Sequence, residues 1–244
     1  MVVADTLQLL QHGTLEVEGL LPWSSNYTFL VNVCGEDEEV EAVYKPQRGE
    51  RPLWDFPEGT LYLREQAAFL ISQALGWDLV PATVVRDGPH GSGSVQQFID
   101  HDPERHYFTI EGQLQYTTQL QKIVLLDIII NNADRKGGHV LIQERENQPD
   151  RLWAIDHGVC FNVEHKLRSV IWEFSGTPIP VDQMASLKAF HEKLTISTNP
   201  IHTQLNKLLN TQEILALLSR LKSLIDHAIF PHPGSGRHYP WPPV

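Results

Sequence analysis

Asp127-Ile-Ile-Ile-Asn131-Asn132-Ala-Asp134-Arg135-Lys136-Gly-Gly-His139-Val-Leu-Ile, and after a polar insert Leu152-Trp-Ala-Ile-Asp156-His157-Gly158-Val-Cys-Phe161, is the stretch on which the reading of this chain turns. Residues 140–142 and 152–155 are short apolar runs rich in β-branched or aromatic side chains. A charged, turn-rich segment, 143–150, separates them, so the pattern predicts a β-hairpin. A hairpin sets the residues before its first strand beside those after its second. Asp134, Arg135 and His139 are therefore expected close to Asp156, with two carboxylates facing each other at the polar edges of apolar runs.

With those residues in place, the segment resembles the phosphatidylinositol 3-/4-kinase-like and HipA-type branch of the kinase superfamily. The resemblance rests on Asn131-Asn132-Ala-Asp134-Arg135 and on Ile155-Asp156-His157-Gly158, in kinase order and spacing. In a protein-kinase catalytic loop the base Asp is followed five residues later by a metal-binding Asn. A second metal-binding Asp comes from an Asp-x-Gly segment after a short hairpin. Here His139 stands five residues after Asp134, so one ligand differs. The resemblance implies transfer of the ATP γ-phosphoryl group to a hydroxyl of a protein or small molecule. Asp134 would orient or deprotonate the acceptor, Arg135 or Lys136 would stabilise the transferred charge, and His139 and Asp156 would hold Mg2+ or Mn2+. Magnesium prefers oxygen ligands and imidazole suits softer ions, so His139 leaves three readings open. It binds a metal such as manganese, or contacts phosphate directly, or marks a nucleotide-binding pseudokinase with little turnover. A metallohydrolase built on Asp134, His139, Asp156 and His157 would leave Lys45 and Glu65 idle, and the other histidines show no ligand spacing.

The same resemblance reaches most of the chain and implies an α+β, two-lobed protein-kinase-like fold. Its β-rich N-lobe would span 1–100 and carry the phosphate lid, the Lys strand and the Glu helix. Its mainly helical C-lobe would span 101–244 and carry the catalytic loop and the metal-binding Asp. Lys45 ends an apolar strand before Pro46 and would grip phosphates, paired with Glu65 on a helix expected at 61–75, where Gly76 is a natural stop. Small polar residues at a hairpin tip can offer N–H groups to phosphate oxygens, which makes Ser24, Ser25 and Asn26 the lid candidates, although a plain surface turn explains them equally well. Gln97, Phe98 and Ile99 would line the adenine pocket where a strand leads into the hinge.

Outside these motifs, strands are expected at 13–19, 27–33, 39–45, 79–85 and 94–99, with a turn at 86–93. Helices are expected at 114–131, 181–195, 201–209 and 211–229, the last with a leucine stripe that reads as core. Asp127, near the end of the helix at 114–131, reads as an organiser of the catalytic loop. The tail, 231–244, has extended proline geometry and is expected to dock through Trp241, since an undocked Trp wastes apolar area.

At 244 residues and 41% apolar composition the chain can bury a sizeable core. A formal charge of −11 argues against nucleic acid or an anionic membrane as a partner. No apolar run reaches membrane-spanning length and the start lacks signal-peptide character, so stable membrane insertion is not expected and the cytoplasm is the default compartment. Cys34 and Cys160 are too few for a disulfide framework and read as small core residues.

Overall fold

The computed structural model describes residues 3–21 and 27–244. The lid candidates Ser24, Ser25 and Asn26 lie outside the described residues. Five antiparallel strands form one sheet in the order β1-β2-β3-β5-β4: β1 (Thr14–Leu20), β2 (Phe29–Cys34), β3 (Glu39–Pro46), β4 (Thr83–Gly88) and β5 (Gly91–Gln97). Burial alternates along them. Val31 and Val33 of β2 and Ala42 and Tyr44 of β3 are buried on one face, as a period of two requires. Lys45 therefore turns to the other face, where Ser94 of β5 stands opposite it and Val85 of β4 lies beyond Ser94.

Two helices pack on this sheet, α1 (Val3–His12) and α2 (Leu61–Ala74). Gly93 lets β5 pass close to the Lys45 strand, because a Cβ there would stand 2.5 Å from the Lys45 carbonyl oxygen. Two strand boundaries differ from the sequence expectation. Residues 79–82 are not in the ladder, since the Leu79 and Val80 N–H groups both donate to Ser72 Oγ of α2, and Leu79 O accepts from Ala154. The expected turn at 86–93 is largely ladder, with Arg86 opposite Gly93 and Asp87 opposite Ser92.

Helices dominate the rest: α3 (Tyr107–Ile110), α4 (Thr117–Ile130), α5 (Val181–Thr195), α6 (Pro200–Leu205) and α7 (Thr211–His227). Between α4 and α5 lies the expected hairpin, β6 (Val140–Gln143) and β7 (Arg151–Ala154), with Val140 opposite Ala154. Asn210 and Glu213 form a reciprocal capping box at the start of α7. Among the described residues no helix is long and apolar enough to cross a membrane.

The tail does lie on the helical half, but not through its Trp. Pro240 is buried, His238 meets Trp172 edge to face, and backbone bonds run from Ser169 N–H to His238 O (3.0 Å) and from Gly137 N–H to Pro243 O (2.7 Å). Trp241 remains 78% exposed. Backbone bonds and buried Pro240, not Trp241, hold this segment down.

One buried ion pair joins the two halves. Arg64 of α2 meets Glu213 of α7 at 2.5 Å and also donates to Cys160 O at 2.9 Å, with both side chains almost wholly buried. Removing one partner of such a pair strands a charge in low dielectric, whereas replacing both with apolar groups does not. Glu213→Leu should therefore cost about 3–5 kcal/mol in urea unfolding, and the double variant Arg64→Met/Glu213→Leu should recover much of that loss.

Candidate active site

The site starts at the end of α4. Asn131 caps the helix in the left-handed region (φ 54°), a conformation Asn tolerates, and the chain leaves the helix there. The Asn131 side chain donates to Asn162 O and Glu164 O, and its oxygen accepts from Lys166 N–H. Asn132 donates to Asp127 Oδ1 at 2.9 Å and accepts from the Asp134 N–H at 2.9 Å. Two adjacent amides thus fix both the segment beyond Gly158 and the loop that presents Asp134.

Asp127 acts as the loop's organiser. It takes a two-pronged bond from Arg135, Nε to Oδ2 at 2.8 Å and Nη2 to Oδ1 at 2.9 Å, and both side chains are buried. Arg135 also donates to the carbonyls of His139 and Ile155 and to His157 Nε2. The assignment of Arg135 to transferred charge needs correction. Its guanidinium has no exposed surface and every face of it is engaged inside the protein.

Six of the other sequence-predicted residues line one cleft of about 170 Å³: Lys45, Glu65, Asp134, Lys136, His139 and Asp156. Lys45 Nζ lies 2.5 Å from Glu65 Oε1 and 3.0 Å from Asp156 Oδ1. The second Glu65 oxygen accepts from the His157 N–H at 2.9 Å, so the helix α2 is bonded to both the lysine and the Asp-His-Gly segment. Asp156 itself has φ 61°, a strained conformation for a non-glycine residue of the kind that collects at functional sites. Gln97, Phe98 and Ile99 are not in the lining of this cleft. The N–H groups of Gln97 and Phe98 are used by Ala82 O and Glu41 O, and Ile99 packs with Leu141, Trp153 and Ile155 in a small apolar cluster apart from the main core.

Electrostatics separate the two carboxylates. Lys45 holds Asp156 well below the usual carboxylate range, against the opposing effect of burial. Burial pushes Asp134 up to about 6, with the Asp156 charge adding to it and Lys136, 3.6 Å away, opposing. Burial alone would lower the Lys45 ammonium, but Asp156 and Glu65 outweigh it and raise its pKa. Burial also brings His139 down to about 4, so its ring is neutral at neutral pH.

The neutral His139 ring has a definite tautomer. Nδ1 lies 3.0 Å from Asp134 O, a carbonyl that can only accept, so Nδ1 carries the hydrogen. The Nε2 lone pair then faces Asp156 Oδ2 at 3.3 Å. Two acceptors at that distance with no proton between them suit a shared cation, and a ligating His whose other nitrogen donates to a carbonyl is the usual metal-site arrangement. The residues present thus fit a divalent ion, which His139 and Asp156 would hold.

Sequence reasoning missed the cleft residues Tyr27, Thr28, Glu50, Leu61, Tyr62 and Val159. Glu50 accepts from the Tyr62 N–H at 2.8 Å at the start of α2, and nothing in its local sequence marks that contact.

Residues 65–196 match the family described as phosphatidylinositol 3- and 4-kinase, over more than half of the chain. Protein Rv2133c of Mycobacterium tuberculosis is 35% identical over 271 residues, which cover 98% of this chain and 95% of that one. The chain belongs to the phosphatidylinositol 3- and 4-kinase family. Phosphatidylinositol 4-kinase gamma 4 of Oryza sativa is 31% identical over 118 residues, 40% of this chain and 20% of that protein. Among solved structures, the Golgi casein kinase with Mn/ADP bound superposes with TM-score 0.61 at 16% identity, covering 99% of this chain and 80% of that one. The Helicobacter pylori proinflammatory kinase CtkA does so with TM-score 0.55 at 11% identity, covering 91% and 94%. The two-lobed kinase-like fold is therefore shared, and the family places the chain among kinase-type phosphotransferases.

The raised Asp134 pKa has a stability consequence. The carboxyl is protonated more readily in the folded chain, so its contribution is fully present below the unfolded value of 3.8 and is lost as pH rises through about 6. Asp134→Asn should therefore be more stable than the parent at about pH 7.5 and similar to it at about pH 3.5, as read by urea unfolding at the two pH values.

Proposed function

We propose that this chain binds ATP with Mg2+ or Mn2+ in the cleft between its lobes and transfers the γ-phosphoryl group to a hydroxyl of a protein or small molecule. The observation that carries the proposal is the Lys45 bridge between Glu65 and Asp156, with Asp134 and His139 on the same cleft wall. In kinases the equivalent lysine and helix Glu must be engaged before phosphates can be held. Here they are engaged. The division of the lobes at about residue 100 belongs to this reading, since the sheet ends at Gln97 and the helices follow.

In this reading Lys45 holds phosphate oxygens, and Asp156 and His139 hold the divalent ion. The bound ion supplies charge neutralisation for the phosphates. Asp134, with its pKa up at about 6, is matched to accepting the acceptor hydroxyl's proton near neutral pH. Lys136 beside Asp134 is the cation that remains in the cleft for developing charge, the place first given to Arg135. The adenine would extend toward the Ile99, Leu141 and Ile155 cluster, so Gln97 and Phe98 would border it by position and not through free N–H groups.

A second reading is a nucleotide-binding module with little turnover. His139 in place of Asn favours it. Three variants distinguish the two. ATP at ~100 times its dissociation constant should add about 2.7 kcal/mol to stability in the parent and in Asp134→Asn. Transfer by Asp134→Asn should fall by roughly 10²–10⁴-fold, the usual range for a general base. Asp156→Asn should lose metal-dependent ATP affinity, and His139→Asn should shift metal preference from manganese toward magnesium. Parent-like turnover in Asp134→Asn, together with parent-like metal–ATP affinity in Asp156→Asn, would sink the kinase reading. ATP binding without turnover in the parent would select the second reading.

A further inference from the structure

A second depression, about 220 Å³, lies between the segment that follows Gly158 and the tail. His165, Lys166, Arg168, Arg237 and His238 form its polar walls, and no carboxylate lines it, in a chain whose net charge is −11. It shares no residue with the nucleotide cleft.

The five groups are not equivalent. Lys166 is already matched by Asp55 at 3.0 Å and, more loosely, by Glu164 at 3.7 Å. Among the described residues no side-chain partner engages Arg168 or Arg237, and Arg168 Nε is buried with no hydrogen bond at all. Two guanidiniums without a carboxylate partner leave donors for a bound anion. The walls are also preset. Arg168 N–H donates to Asn132 O (2.9 Å) and its carbonyl accepts from Arg135 N–H (3.0 Å), while the neighbouring Ser169 N–H holds His238 O. Gly234 and Gly236 contribute backbone with open space where a Cβ would stand, so a ligand can approach the main chain closely.

We propose that this depression is a binding site for a soluble phosphomonoester dianion, separate from the nucleotide cleft. Arginine forks match the tetrahedral oxygens of phosphate, and the volume suits one phosphate with a small organic group, below the roughly 300–1,000 Å³ of drug-sized sites. The same phosphate chemistry is offered by a phosphorylated lipid headgroup. The net charge of −11 disfavours approach to an anionic bilayer and selects the soluble source.

The test is calorimetric titration of the full chain with inorganic phosphate, glycerol 3-phosphate and phosphatidic acid vesicles. Parent, Arg168→Gln, Arg237→Ala and Lys45→Met proteins are compared. The expected result is binding of both soluble phosphates that weakens roughly tenfold in each arginine variant, as loss of one charge-assisted bond implies, and is unchanged in Lys45→Met. Arg237 is exposed, so its replacement leaves the fold intact and keeps the test meaningful even if Arg168→Gln unfolds. Loss of binding in Lys45→Met alone would place the phosphate in the nucleotide cleft and overturn the proposal. Binding to vesicles without binding to soluble phosphates, or no binding to any of the three, would overturn it as well. None of these outcomes depends on whether the chain turns over ATP.

Discussion

The paired bonds between Asp127 and Arg135 are the constraint on which the cleft depends. Two opposite charges removed from water cost several kcal/mol each unless every donor and acceptor is matched. Here they are matched in full. Arg135 gives two bonds to Asp127, two to carbonyls at the start and end of the hairpin, and one to His157. Helix α4, the loop, both ends of the hairpin and the Asp-His-Gly segment therefore share one anchor. Asp134 and Asp156 are presented by backbone that cannot shift without exposing or stranding a charge.

Around that anchor the carboxylates diverge in character. Asp156 sits against Lys45 and stays ionised, while Asp134, partly buried and next to another negative charge, binds its proton up to about pH 6. Two groups of one chemical type, a few residues from a common hairpin, are pushed apart by neighbours and solvent access. Such divergence is how two carboxylates of a single cleft come to differ in protonation near neutral pH.

Much of this was legible in the sequence. The hairpin at 140–154, the lysine strand, the Glu helix and helices α4, α5 and α7 follow from periodicity, caps and turn residues, and Lys45, Glu65, Asp134, Lys136, His139 and Asp156 do meet in one cleft. What the sequence did not carry is direction. A motif supplies the position of Arg135 but not that its side chain turns inward to Asp127. Nor does local pattern reveal partners far along the chain, such as Arg64 with Glu213 or Glu50 with the start of α2. The strand errors have the same origin. Residues 79–82 are apolar enough for a ladder, yet Ser72 and Ala154 claim their backbone groups, and Gly93 enters a strand because the β3 backbone passes too close for a side chain, while Gly91 turns the chain at φ 100°. Apolar area points to Trp241 as the tail's anchor, whereas peptide groups and buried Pro240 hold it.

That tail bears on the order in which the molecule is completed. The N–H of Gly137, next to Lys136, finds its acceptor on Pro243, about a hundred residues further along the chain. Contacts of such separation close late, after helices and hairpins have formed, because the intervening chain must first be ordered. A nascent chain emerging from the ribosome can thus assemble its sheet and its lysine–glutamate pair long before the loop beside Lys136 gains this hydrogen bond. The loop at Gly137 is completed only after every described helix has been made, because Pro243 lies beyond α7.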